Sequence, residues 1–274
     1  MHPIVKKRLF TIIALLIVAL HILPFYILVT TSLKARGNFS SKWIFPRDIS
    51  WENFTLAWQQ ANLGHALLNT TIITFFAALL LIFIGSLAAY PLARRQTKLN
   101  KWMYMLFIAI MVVPPLAALV PLYQLVVNIG LMNTHLVAIL NNVAAYLPLT
   151  IFLYAGFIRS TIPKSLEDAA RIDGASTATI FFRIIFPLLK PVTASILIIS
   201  CVFIWNDYQF AIFFLQDKDV QTMTVALSSF FGENANNLNL DGAAAIIAML
   251  PMVVLFLFLQ KYFIKGLASG SVKE

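Results

Sequence analysis

The sequence predicts an all-α protein of the polytopic membrane class, a bundle of six transmembrane helices. Three observations carry that expectation. Of 274 residues, 60% are hydrophobic and only 11% are charged, whereas soluble domains carry about 25% charged residues. The mean hydropathy is +0.85. Apolar runs at about 9–33, 67–93, 102–127, 135–158, 192–215 and 243–260 are each long enough to cross a hydrocarbon core, which takes at least about 17 residues. Helices are the expected form, because an open sheet edge leaves unsatisfied backbone groups in lipid.

The N-terminal run follows Lys6, Lys7 and Arg8, as in a signal peptide. It is longer than an h-region of about 7–15 residues and lacks a small-x-small cleavage site, so it reads as a retained first span. Residues 48–62 read as a helix at the interface, started by Ser50 and Glu52, with Trp51, Phe54 and Trp58 on one face. The second run carries Asn69, Thr70 and Thr71 at one end. The third is interrupted by Pro114, Pro115 and Pro121, and the fourth holds Asn141, Asn142 and Pro148.

Lysine and arginine set the orientation. With the N-terminus inside, fifteen of the twenty basic residues fall on cytoplasmic segments, among them Arg94, Arg95, Lys98, Lys101, Arg159, Lys164, Lys261, Lys265 and Lys273. Five fall outside: Lys34, Arg36, Lys42, Arg47 and Lys218. The positive-inside rule therefore predicts a multi-pass protein with both termini cytoplasmic. The same distribution explains the net charge of +9 without a nucleic-acid partner, since the charges are spread over separate loops.

Chemistry is sparse. No G-x-x-x-x-G-K-[ST] phosphate loop is present, and His2, His21, His65 and His135 have no metal-ligand spacing. The single cysteine, Cys201, excludes an internal disulfide. Among the apolar runs, Asp207 is the one side chain expected to be charged, within Trp205-Asn206-Asp207-Tyr208-Gln209. An intramembrane carboxylate marks either a solute pathway or a hydrogen-bonded staple between helices; Asn69, Asn141 and Asn142 have the same two readings. Amides, hydroxyls and aromatics (Tyr123, Gln124, Asn142, Trp205, Tyr208) suit a neutral polyhydroxylated solute. No lysine or arginine lies well inside a run to hold an anion.

The most informative stretch is 161–191, a charged island carrying Glu167, Asp168, Arg171, Asp173 and Arg183. Ser165 and Asp168 have capping-box spacing, which predicts a helix start there. Gly174 is placed to end that helix, and Ser176 to cap a second one bearing Ile180, Ile184 and Leu188 before Pro187 and Pro191. Two short helices hinged at a glycine form an object that can be pushed.

Asp168-Ala169-Ala170, then Gly174, then Ile184, Phe186 and Pro187 resemble the "EAA" signature of permease subunits of bacterial ABC importers, E-A-A, three residues, G, nine residues, I-x-L-P. Asp168 replaces the glutamate, with Glu167 one position earlier, and Phe186 replaces the leucine. The wider wording, Ile162-Pro163-x-x-Leu166-Glu167 through Ile172-Asp173-Gly174-Ala175, is similar to the carbohydrate-uptake branch. Trp205-Asn206-Asp207-Tyr208 and Thr222-Met223-Thr224-Val225-Ala226-Leu227 are similar to it too, in the manner of the smaller maltose- or multiple-sugar-type permease. That branch also contains glycerol-phosphate carriers.

The resemblance implies a type I ABC importer permease fold. It implies a coupling loop at 161–191 whose Glu167, Asp168, Ala169, Ala170, Asp173, Gly174 and Ala175 dock a separate ATPase. Asn69, Tyr123, Asn142, Trp205, Asn206, Asp207 and Tyr208 are the pathway candidates. The implied partners are a related second permease in a pseudo-twofold pair, two ATPase copies that bind ATP and Mg, and an extracytoplasmic solute-binding protein. This chain itself is expected to hold no cofactor and no metal, and to be a transport subunit rather than an enzyme, in a bacterial cell membrane. The competing readings are a stand-alone secondary transporter or channel, which predicts inverted repeats of broken helices, and a non-transporting scaffold.

Overall fold

Long apolar stretches close their backbone hydrogen bonds within themselves, and the computed structural model is helical along most of its length. It describes residues 3–38, 40–233 and 237–271, with side chains for 7–38, 40–233 and 237–261. His2 and Lys273 lie outside the described residues, as do the side chains of Lys6 and Lys265. Four helices are long and apolar enough to span a membrane: α1 (Pro3–Ser32), α3 (Leu63–Arg94), α6 (His135–Thr161) and α13 (Leu238–Ser271). Two bent pairs raise that to six if each is one span. The first joins α4 (Lys98–Ile110) to α5 (Leu119–Asn128) through a 3-10 turn at Pro115–Ala118, with a bend of 96°. Pro114 is extended there (φ −60°, ψ 124°), as the residue before a proline tends to be.

The second pair begins after α7 (Lys164–Ile172). It runs α8 (Thr177–Ile180), a π-helical turn Phe181–Ile185 and α9 (Phe186–Leu188), then bends by 69° into α10 (Lys190–Trp205). Pro187 has no N–H to return to Arg183, and the wider turn just before it is a usual response. The remaining helices are α2 (Glu52–Gln60), α11 (Ala211–Phe214) and α12 (Met223–Glu233).

Three local expectations change. The helix after Pro163 starts at Lys164, with Pro163 as N-cap and no side-chain cap bond, so Ser165 lies inside the first turn. The Leu166 N–H bonds the Pro163 carbonyl, at 3.4 Å, which does the closing that a capping box would do. The fifth apolar run is not one helix to 215, because α10 stops at Trp205 and the chain turns through 206–210 before α11. The polar residues Asn206 and Asp207 take the turn. Glu52 opens α2 behind Trp51, again without a side-chain cap.

The chain divides into two compact units, 1–64 with 226–250, and 65–225 with 251–274. In the first, Asn53 on the inner face of α2 donates to the Ser32 and Lys34 carbonyls, 2.7 Å each, and so satisfies the open end of α1. Trp51 and Trp58 are exposed, consistent with a helix lying in an interface. Lys34 is buried but not bare: its ammonium donates to the Ser40 hydroxyl and to the Ser40 and Ser41 carbonyls. In the second unit, one core gathers Tyr90, Ile151, Tyr154, Ile158, Ile180 and Ile185. Another gathers Ile73, Leu81, Val126, Val137, Ile204 and Phe214.

Candidate functional site

Apart from its start at Lys164, the charged island forms the first helix and the glycine stop that its sequence predicts, and the structure adds a fastening. Helix α7 ends in a Schellman motif: the Ala175 N–H reaches the Ala170 carbonyl at 2.9 Å and the Gly174 N–H reaches that of Arg171 at 3.0 Å. Gly174 sits at φ +80°, a left-handed conformation in which a Cβ is costly. Ser176 then caps α8, accepting the Thr179 N–H at 3.2 Å.

Helix α7 has two faces. Glu167 and Ala170, three residues apart, point inward and are buried. Both Glu167 oxygens are engaged on α3, four residues apart on that helix: Tyr90 Oη donates to Oε2 at 2.8 Å and Arg94 Nε to Oε1 at 2.5 Å. Arg94 also donates to the Ile162 carbonyl at 2.7 Å, just ahead of α7. The Tyr90 ring lies 5.5 Å from that of Phe181, so one side chain meets α7 and the turn that follows it. Leu166, Asp168, Ala169, Ile172 and Asp173 face outward. Ile172 is 86% exposed, and Asp168 pairs with Arg171 across the surface at 3.3 Å. Of the seven docking candidates, five (Asp168, Ala169, Asp173, Gly174 and Ala175) are thus at least partly accessible, whereas Glu167 and Ala170 hold α7 to the bundle.

The pathway candidates divide differently. Asn69 is buried; it donates to the Asp219 and Gln221 carbonyls at 2.8 and 3.0 Å, and its Oδ1 lies 2.9 Å from His135 Nε2. Next to it, Thr70 Oγ1 accepts the Met223 N–H at 2.8 Å. Asn142 donates to Asp207 Oδ2 at 3.3 Å, and Asp207 Oδ1 accepts the Phe210 N–H at 3.2 Å. The Asp207 carbonyl accepts from Thr224 Oγ1 at 2.8 Å. These bonds tie α3, α6 and the turn after α10 to one segment, 219–224. Tyr123 is half-buried and stacks on Phe214 at 6.4 Å. Trp205 lines an apolar recess with Phe75, Leu79, Leu197, Cys201 and Met252, while Asn206 and Tyr208 are exposed. Among the described residues no group of His, Cys, Asp and Glu could hold a metal ion.

Sequence reasoning did not foresee Tyr90, Arg94 and His135 as partners. Tyr90 and Arg94 stand four residues apart at the end of an apolar run, a spacing that puts both on one helix face. That was the available signal for a carboxylate nearby.

A family model described as "binding-protein-dependent transport system inner membrane component" matches residues 81–269. The chain is 68% identical over 268 residues to the melibiose/raffinose/stachyose import permease protein MelC of Bacillus subtilis (strain 168), covering 98% of this chain and 97% of the relative. It is 30% identical to the multiple sugar-binding transport system permease protein MsmG of Streptococcus mutans, over 92% of each chain. A crystal structure of a bacterial ABC transporter involved in the import of alginate superposes with a TM-score of 0.80 at 20% identity, covering 94% of this chain and 98% of that one, and shares its fold. With apolar helices of spanning length, a type I permease fold and the Asp168–Pro187 signature in place, the chain belongs to the binding-protein-dependent transport system inner membrane components, the multi-pass permease subunits of ABC importers.

Proposed function

We propose that this chain forms half of the translocation pathway of an ATP-driven importer for galactose-containing oligosaccharides such as melibiose, raffinose and stachyose. The 68% identity to a permease named for those sugars supports the substrate class. In this reading the 161–191 loop is cytoplasmic and docks a separate ATPase that binds ATP and Mg and carries out the hydrolysis. A related second permease completes the pathway, two ATPase copies drive it, and an extracytoplasmic binding protein delivers the sugar. Both termini are cytoplasmic, as the basic residues suggest.

The observation that carries the coupling is the split personality of α7. Its inner face is fixed to α3 through Glu167, while Leu166, Ala169 and Ile172 on its outer face are exposed among the described residues. A short helix with a bare apolar stripe beside exposed carboxylates suits a protein groove, and a stiff link from it to a spanning helix suits rigid-body gating. ATP-driven closure of the ATPases would then displace α7, and α3 with it.

The test pairs two measurements on the assembled importer. Ile172 is 86% exposed, so in Ile172→Glu insertion and folding are expected to persist while the ATPase is lost from the purified complex. Retention of the ATPase by that variant, or failure of a cross-linker at Ala169 to capture it, would count against docking by α7. Uptake of radiolabelled melibiose and raffinose above that of maltose checks the substrate class separately.

A further inference from the structure

The second unit contains a basic recess at the end of the bundle that carries α7, with a volume of about 550 Å³, within the range of about 300–1,000 Å³ seen for small-ligand clefts. Five cations line it: Arg94, Arg95, Lys101, Arg159 and Lys164, with no carboxylate in the lining. Arg94 is held by Glu167. Arg159 donates to the Leu92 carbonyl at 2.8 Å and lies 4.3 Å over the Tyr104 ring. Arg95, Lys101 and Lys164 form no ion pair among the described residues.

The backbone that frames the recess is held in place. Thr97 caps α4 by accepting the Asn100 N–H at 3.2 Å. The Asn100 amide donates to the Pro91 and Arg95 carbonyls at 3.1 and 3.2 Å. The α3–α4 turn is thereby fixed, and Lys101, Tyr104 and Met105 share the face of α4 that lines the recess.

Its level relative to the bilayer follows from the helices that end there. Helices α3 and α6 are both of spanning length, and they finish at Arg94 and Thr161, so the recess lies where apolar spans meet polar ends. Helix α4 buries none of its residues; Leu99, Trp102 and Met105 are 70%, 75% and 66% exposed. A tryptophan at a helix end marks the headgroup level. A basic recess framed by a fixed turn, with an apolar, aromatic wall at that level, matches a ligand that is anionic at one end and oily at the other. Basic pockets between membrane helices hold phospholipid headgroups by this chemistry.

We infer that this recess binds the phosphate headgroup of an anionic phospholipid, with Arg95, Lys101 and Lys164 as its ligands and the acyl chains along α4. Because Arg94 reaches from the recess wall to Glu167 on α7, the occupied site borders the fastening between α3 and α7. The inference goes beyond the importer reading and holds whichever solute is carried.

The experiment is native mass spectrometry of the assembled complex titrated with phosphatidylglycerol, against phosphatidylcholine as the zwitterionic control. Arg95 and Lys101 are exposed, so Arg95→Gln with Lys101→Gln is expected to fold normally. At about 1 kcal/mol for each basic residue near an anionic surface, the double variant is expected to hold phosphatidylglycerol about thirtyfold more weakly. Lys98→Gln, in the same turn but outside the recess, is expected to change binding less than about twofold.

An equal loss per charge in Lys98→Gln would reveal a diffuse basic belt and overturn the site. So would equal retention of phosphatidylcholine. Displacement of the lipid by inorganic phosphate alone would assign the recess to a soluble anion instead. A photo-cross-linker at Lys101 is expected to label lipid; labelling of the ATPase would also overturn the assignment.

Discussion

Glu167→Gln tests the link between α7 and α3 most directly. The Glu167 and Arg94 side chains are 3% and 9% exposed, so solvent screens their attraction little. Removing one partner of such a buried pair costs about 3–5 kcal/mol. Glutamine keeps the shape and still accepts from Tyr90, which places the expected loss at the lower end, about 3 kcal/mol. Arg171, 54% exposed and 3.7 Å away, adds no more than the roughly 0–1 kcal/mol of a surface pair. Helix α7 has nine residues and buries only Glu167 and Ala170, so little apolar packing remains to hold it. The loss is therefore expected as local detachment, not global unfolding. At about 1.4 kcal/mol per tenfold, amides of 164–174 should exchange about a hundredfold faster in the assembled complex. Uptake per ATP hydrolysed should fall while hydrolysis continues. Exchange within about threefold of the parent, together with normal coupling, would refute the reasoning. Tyr90→Phe removes one hydrogen bond to a charged group, about 1.5–3 kcal/mol, and should show a smaller effect in the same segment. Arg94→Lys keeps the charge but loses the fork that joins Glu167 to the Ile162 carbonyl, and is expected to fall between the two.

Other substitutions separate fastening from pathway. Gly174→Ala meets no atom within 4 Å, so its cost is the backbone alone, about 1–2 kcal/mol at positive φ; hydrogen exchange at 173–175 should rise while insertion is unchanged. Asn69→Ala deletes both bonds that hold the Asp219 and Gln221 carbonyls and the partner of His135. Limited proteolysis should then cut within 217–222 faster, and an unchanged digestion pattern would show that the loop is held by other means. Asp207→Ala strips an acceptor from Asn142 and from the Phe210 N–H, at about 1–3 kcal/mol for the buried groups left unmet. Its melting midpoint should fall, and adding Asn142→Ala should cost less than the sum of the two, since they share a bond.

The fold was legible because its signals are strong and local. Apolar runs of spanning length, the prolines at 114 and 115 and the glycine at 174 act within a few residues of themselves, and each marks a break or an end in the structure. The start of α7 differs from the expected capping box for a local reason too: Pro163 has a fixed φ and a carbonyl that accepts the Leu166 N–H, which moves the N-cap two residues ahead of Ser165. The end of α10 differs from the expected run to 215 because apolar residues resume at Phe210, so the polar stretch Asn206–Gln209 reads as an interruption within one span and not as its end. The hydrogen bonds of Asp207 to Asn142, Phe210 and Thr224 hold that turn.

Partnerships across the fold were not legible, and Glu167 shows why. Its sequence neighbours, Asp168 and Arg171, give it the look of a solvated helix carboxylate, and the residues that bury it lie 73 and 77 positions earlier. What distinguishes Glu167 from Asp168 is a single step of about 100° around α7, which turns one toward α3 and the other toward water. That step also divides the work of the helix. An apolar contact in place of Glu167 would bury α7 equally well but would be non-directional, whereas two charge-assisted bonds from residues one turn apart on α3 fix both the position and the rotation of α7. In the proposed coupling, a load applied to the outer face at Ile172 would pass to the end of a spanning helix without α7 rolling on its axis. The same geometry leaves Asp168, the residue matching the signature's glutamate, free of that duty and turned toward whatever lies outside.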